Sequence, residues 1–128
     1  MDEDDMVPAT AKTILVVEDE FLIRMDISDT LRAHGYSVLE ASTADDALQM
    51  LAKATPIDLI FTDIRMPGRF DGLDLARSAA ARQVPVLITS GHLYSYEVPV
   101  ELGPLIPKPY RHEDVLSRIR GKLAASPH

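Results

Sequence analysis

Apolar residues along this chain fall into two kinds of pattern. The first is the short unbroken run: Ile14 to Val17, Leu59 to Phe61, and Val86 to Ile88. These runs are rich in β-branched residues and suit strands buried on both faces, as in a parallel sheet. A weaker strand, Ser37 to Glu40, follows Gly35, and a short one, Leu105 and Ile106, sits between Pro104 and Pro107. The second pattern has helical spacing. Ile23, Ile27 and Leu31 recur every four residues, and Gly35 can stop that helix. Thr43 is placed to cap the next helix, with Asp45 and Asp46 near its positive dipole end and Ala47, Leu48 and Leu51 as its apolar stripe. Leu73, Leu75, Ala76, Ala79 and Ala80 mark a third helix, and Val115, Leu116, Ile119 and Leu123 mark the last. The stretch from His92 to Gly103 contains Pro99 and has weak periodicity, so any helix there is expected to be short or irregular.

Strand and helix thus alternate five times, which predicts an α/β domain with a doubly wound, five-stranded parallel sheet. A chain of 128 residues suits one hydrophobic core, and no internal repeat or second domain is visible. The acidic start, MDEDDMVPAT, reads as a disordered tail over 1–11, leaving a folded unit over 12–125. A net charge of −7 and a pI near 4.9 argue against a nucleic-acid surface, which needs clustered Lys and Arg. Without Cys there is no disulfide, thiol nucleophile or thiolate metal site. No apolar run approaches the roughly 18 residues of a membrane span. The acidic start is unlike a secretory signal, so the expected location is cytoplasmic.

In doubly wound folds, ligands bind beyond the carboxyl ends of the strands. Glu18, Asp19 and Glu20 follow the first strand, Asp63 the third, Ser90 and Gly91 the fourth, and Lys108 with Pro109 the fifth. Each has an ordinary explanation. An acid after a strand often caps the following helix, and Glu20 is read as only that. Ser90 alone would be a turn residue, and Lys108 alone a solvated one. The combination says more. Clustered carboxylates repel and are costly unless a cation compensates. An acidic, oxygen-lined site suits Mg2+, which keeps some waters and shares its other positions with phosphate oxygens. The chemistry that follows is phosphoryl transfer. The Asp63 carboxylate attacks in line, Mg2+ and Lys108 neutralise charge, and Ser90 donates a hydrogen bond to a phosphoryl oxygen.

At these residues the sequence resembles the response regulator receiver family, which is CheY-like and flavodoxin-like in fold. ILVVEDE is similar to that family's first strand and acidic pair, and DLIFTDIRMPG to its phosphoacceptor strand and following loop. PVLITSGH matches the fourth strand with its switch hydroxyl, and IPKPY the fifth strand with its lysine and proline. The resemblance covers nearly the whole chain after the tail. It implies strand order 2-1-3-4-5 and phosphorylation of Asp63. It implies that Asp19 binds Mg2+ directly, Glu18 through water, and the backbone carbonyl of Arg65 as a third protein ligand. It further implies that Lys108 pairs with the phosphoryl group and that the Lys108–Pro109 bond is cis. The family hydroxyl lies five positions after the proline that opens the fourth strand. Counted from Pro85 this is Ser90, with Thr89 the second choice because adjacent strand residues face opposite ways. Gly91 then fills the small position beside the phosphate.

Three departures from the family pattern stand out. MPGRFDGL carries one residue more than the common loop. Ser90 and Lys108 are 18 positions apart, where receivers commonly have about four more, roughly one helical turn. Leu105 occupies the place of an aromatic residue that in the family changes rotamer with phosphorylation. The pattern TSGH, the weak fourth helix and the missing aromatic resemble an atypical subgroup lacking the aromatic switch. The expected partners are a sensor histidine kinase or phosphotransfer protein and a downstream protein of unknown identity. No direct nucleic-acid contact or membrane insertion is expected. A second reading is a phosphate sink or a docking module independent of phosphorylation. A flavodoxin-like cofactor binder would need a phosphate-cradling loop where Glu18, Asp19 and Glu20 stand, and those acids repel phosphate. An aspartate phosphatase with its nucleophile after the first strand fits poorly with Asp63 and Lys108–Pro109. Of the histidines, His34 is expected at a helix end, His112 near a helix start, His128 at the terminus and His92 in a loop. None has metal-ligand spacing.

Overall fold

The computed structural model describes residues 11–53, 56–66, 68–91 and 105–125. Within them the apolar runs become strands and the periodic segments become helices. The order is β1 (Thr13–Val17), α1 (Phe21–Ala33), β2 (Ser37–Ala41), α2 (Ala44–Ala52), β3 (Leu59–Asp63), α3 (Gly72–Ala81), β4 (Val86–Ser90), β5 (Ile106–Pro107) and α4 (His112–Ala125). The expected helix between His92 and Gly103, together with His92 itself, lies outside the described residues. So do His128 and the expected tail, apart from Ala11.

The five strands form one parallel sheet in the order β2-β1-β3-β4-β5. β3 and β4 are buried along their whole length, which is why their sequences are unbroken apolar runs. β2, at one edge, is mostly half-buried, which accounts for its weaker signal. Two apolar layers sandwich the sheet. Leu15, Val17, Ile60 and Ile88 pack with Ala47 and Leu51 of α2 and Leu75 and Ala79 of α3. Ile14, Val16, Leu59, Phe61 and Leu87 pack on the opposite face with Ile27 and Leu31 of α1 and Val115 and Ile119 of α4. The alternation of neighbouring strand residues between the two layers follows from the period of two in a strand.

Local chemistry sets the helix ends. The Thr43 hydroxyl accepts the Asp46 amide at 3.1 Å, as expected of a cap. Gly35 follows α1 with φ +93°, and its amide donates to the Arg32 carbonyl at 3.0 Å. Glu20 stands at the cap position of α1 but makes no side-chain capping bond, which corrects its reading as a cap. α3 has an unforeseen reciprocal cap. Asp71 accepts the Leu73 and Asp74 amides at 2.9 and 3.1 Å, and Asp74 accepts the Asp71 amide at 2.9 Å.

α3 meets the end of β3 through Gly72, whose amide donates to the Ile64 carbonyl at 2.9 Å. A Cβ added to Gly72 would stand inside contact distance of the Asp63 carbonyl and 2.8 Å from the Ile64 Cα. Gly72→Ala is therefore expected to force the Asp63–Ile64 backbone aside and cost about 1–3 kcal/mol in urea unfolding. Ser28 presents the opposite case, a fully buried hydroxyl without a hydrogen-bond partner among the described residues. Ser28→Ala removes an unsatisfied polar atom and improves helix propensity, so the same measurement should show no loss and a gain of up to about 1 kcal/mol. A clear loss on Ser28→Ala would contradict the packing described here.

Candidate functional site

Parallel registry brings four strand ends to one edge of the sheet. Asp63 lies beside Thr89, and Ser90 lies beside Pro107. The Lys108 amide donates to the Ser90 carbonyl at 3.1 Å and extends the pairing by one residue. Lys108 is thereby aimed back along the sheet edge toward the residues after β1 and β3.

Its ammonium donates to Glu18 Oε2 at 2.8 Å and to Asp63 Oδ2 at 2.7 Å. Glu18 and Asp63 are both buried, while Asp19 is exposed. The second oxygen of each buried acid accepts from backbone: Glu18 Oε1 from the Glu20 amide at 3.2 Å, and Asp63 Oδ1 from the Arg65 amide at 3.3 Å. One carboxylate oxygen from each of Glu18, Asp19 and Asp63 lies within 4.8 Å of the others. Asp19, Glu20, Asp63, Arg65, Met66, Gly91 and Lys108 line a cleft of about 330 Å³. The structure thus brings together Glu18, Asp19, Asp63, Arg65 and Lys108 as expected, with Ser90 at the adjoining strand end. Glu20 joins the lining, which the sequence reading did not foresee.

Thr89 Oγ1 donates to the Ile106 carbonyl at 2.8 Å, a bond that ties β4 to β5. Ser90, the last residue of β4, is also buried. Leu105 is half-buried against the layer that includes Ile88 and Leu75.

Charge and burial compete here. Burial pushes the Glu18 carboxyl above its ordinary range, against the pull of the Lys108 hydrogen bond and the Glu20 amide, and the nearby Asp63 charge adds to the rise. Burial alone would lower the Lys108 ammonium. The hydrogen bonds to Asp63 and Glu18, with their charges, outweigh it and hold the group above its ordinary value. The Tyr110 phenol is pushed up to about 12, by burial first and then by the Glu18 charge.

The frame around Lys108 is anchored at several points. The Lys108–Pro109 bond is cis, as expected. The Tyr110 ring meets the edge of Phe61 in β3, with centroids 5.6 Å apart. His112 bonds across to α1, with Nε2 2.8 Å from Asp26 Oδ2 and Nδ1 3.0 Å from Thr30 Oγ1. On the other side, the Glu18 carbonyl accepts from the Arg24 guanidinium at 2.8 Å, and Arg24 and Arg32 both pair with Glu40 of β2. Apart from the cis bond, none of these supports is singled out by the sequence, because each joins residues that only the fold brings together.

The sequence profile describing the response regulator receiver domain matches residues 14–120. The transcriptional regulatory protein PdtaR of Mycobacterium tuberculosis is 36% identical over 85 residues, which cover 66% of this chain and 40% of that protein. The regulatory protein VirG of Agrobacterium tumefaciens is 32% identical over 123 residues, covering 91% of this chain and 45% of VirG. This chain thus spans less than half the length of these relatives. Among solved structures, the receiver domain of the hybrid histidine kinase CckA superposes with a TM-score of 0.73 at 34% identity, covering 87% of this chain and 98% of the other. A response regulator receiver protein from Sinorhizobium medicae superposes with a TM-score of 0.79 at 26% identity, covering 93% and 99%.

Proton linkage gives the site a test. Glu18, with its raised folded value, contributes stability on the acid side that is lost as pH rises from the ordinary carboxylate range through the folded value. Lys108 contributes stability that is fully present below its ordinary value and is lost as pH rises through the raised one. Lys108→Met leaves two buried carboxylates without their cation. It should cost roughly 2–3 kcal/mol near neutral pH. Part of the loss should return on acidification, as Glu18 takes up a proton. Urea unfolding at neutral and at acidic pH measures this, and an equal loss at both would contradict it.

Proposed function

The chain belongs to the response regulator receiver family, and from that premise we propose that it is a phosphorylation switch whose acceptor is Asp63. The observation that carries the proposal is the Lys108 ammonium shared between Asp63 and Glu18, with Asp19 alongside, at the carboxyl edge of the sheet. In the proposed step an Asp63 carboxylate oxygen forms a bond to phosphorus. The phosphorus–nitrogen bond of a phosphohistidine donor breaks, and its electron pair stays on the imidazole. Lys108 lies 2.7 Å from one Asp63 oxygen before reaction and can move its bond to a phosphoryl oxygen. The Ser90 hydroxyl is the proposed donor to a second phosphoryl oxygen. Positioning and charge neutralisation are what this reaction asks of a protein.

Receiver domains bind Mg2+ at an acidic pocket, and the donor set here fits that ion: three carboxylates with hard oxygens, close together at an open cleft. Asp19 and Asp63 would hold it directly, Glu18 through water, and Arg65 by its carbonyl. When bound, Mg2+ supplies positive charge that offsets the phosphoryl oxygens. The donor is proposed to be a histidine kinase or phosphotransfer protein, the location to be the cytoplasm, and the output to be contact with another protein. No helix among the described residues is long and apolar enough to cross a membrane. Leu105 favours a second reading for the output alone. Without an aromatic ring there, the chain would store phosphoryl groups or dock without the usual relay.

Incubation with acetyl phosphate and Mg2+ should add one phosphoryl group, read by intact mass and mapped to Asp63. Asp63→Asn should gain none, and an alkali-labile gain in that variant at the wild-type rate would overturn the assignment. Asp19→Ala should lose most Mg2+ affinity in calorimetric titration, because it removes both a ligand and charge. Unchanged affinity would count against the proposed ligand set.

A further inference from the structure

The loop between β3 and α3 leaves the site at Ile64 and returns at Asp71. Its base is firm: the Ile64 amide donates to the Thr89 carbonyl at 3.1 Å, and the Gly72 amide closes onto the Ile64 carbonyl at 2.9 Å. Ile64 and Met66 are buried in the layer beneath α2 and α3. Beyond them the loop turns outward, and Gly68, Arg69 and Phe70 are exposed. At this outer bend a carboxylate from a different element meets the backbone. Asp45 Oδ1, in the first turn of α2, accepts the Phe70 amide at 3.1 Å. The same oxygen faces Gly68, where an added Cβ would come within 3.0 Å of it. Gly68 has φ +117°, so glycine there meets two demands at once, a left-handed backbone and room for the carboxylate.

We propose that Asp45 is a positioning residue of the acidic site, tying down the loop that carries Arg65 so that its backbone is already set beside Asp63 when a cation binds. The inference rests on the phosphoacceptor reading for its use, though not for its geometry. Arg65 lines the cleft, and its amide already donates to Asp63 Oδ1, so the loop backbone belongs to the site on one side and to Asp45 on the other. This loop bears the exposed side chains of Arg69 and Phe70 at its bend. Such a segment gains most from one fixed amide. Holding a ligand group in place beforehand removes its ordering cost from the binding step.

Asp45→Ala should raise hydrogen exchange at the Phe70 amide about tenfold, the factor that corresponds to losing one modest hydrogen bond. It should also weaken Mg2+ binding by roughly threefold to tenfold in calorimetric titration. Asp45→Asn keeps an acceptor oxygen and removes only the charge, so it should hold both values near wild type. Gly68→Ala should reproduce the Asp45→Ala result from the loop side. Thermal unfolding of each variant checks that the fold persists. If Asp45→Asn weakens Mg2+ as much as Asp45→Ala does, Asp45 acts through charge and the positioning role is wrong. If Asp45→Ala changes neither exchange nor affinity, the tether has no effect and the inference fails. Neither readout uses phosphoryl transfer. Failure of wild-type Asp63 to accept phosphate would therefore overturn the proposed function and leave the Asp45 result to be judged by itself.

Discussion

The ammonium of Lys108 lies between the carboxylates of Glu18 and Asp63, and the arrangement of the sheet edge can be understood from that contact. Two buried acids this close repel each other and lose hydration, and a single positive charge must offset both. Lys108 can do so only if β5 lies alongside β4 in the observed register, with Pro107 beside Ser90. The Thr89 hydroxyl bond to the Ile106 carbonyl secures that register. Tyr110 against Phe61 and His112 against Asp26 then hold the chain that follows. The short fifth strand, with only two residues, is thus held by β4 alongside it and by the segment that follows it.

Under the proposed function the same contact would make the site responsive. A buried charge bridge that stabilises the protein without ligand is one that a ligand can rearrange. Converting an Asp63 oxygen into an acyl phosphate would replace one carboxylate acceptor by phosphoryl oxygens, and Lys108 would divide its hydrogen bonds differently between Glu18 and the new group. Only contacts that differ between two states can shift the balance between them. Under the proposed function Lys108 would supply such a contact, and Ser90 is the second proposed one. Around them, Glu18 is anchored through Arg24 and Glu40, and the β3–α3 loop through Asp45.

Much of this was legible in the sequence, for reasons that can be stated. Strands buried on both faces must be apolar throughout, so Ile14 to Val17, Leu59 to Phe61 and Val86 to Ile88 located β1, β3 and β4 to within two residues. Polar residues directly after such runs lie at the carboxyl edge in any doubly wound fold, which is how Glu18, Asp19, Asp63 and Lys108 were found. The choice between Thr89 and Ser90 rests on counting from Pro85, and only the fold shows that the Thr89 hydroxyl bonds to the Ile106 carbonyl. Supporting residues were not legible. Asp45 looked like a helix-dipole residue and His112 like a helix-start residue, because their partners, Phe70 and Asp26, are distant in sequence. Glu20 was taken for a cap, yet its side chain makes no capping bond and it lines the cleft instead.

The central claim is that Asp63 and Lys108 form one phosphoryl-binding unit with the acidic cluster. Titration with beryllofluoride, followed by fluorine NMR, tests it most directly, since this mimic binds a carboxylate oxygen in the place of a phosphoryl group. The account predicts one bound fluorine signal at equimolar ratio. That signal should require Mg2+, disappear in Asp63→Ala and weaken in Lys108→Met. A bound signal that persists in Asp63→Ala, or no bound signal in the wild-type protein with Mg2+ present, would contradict it.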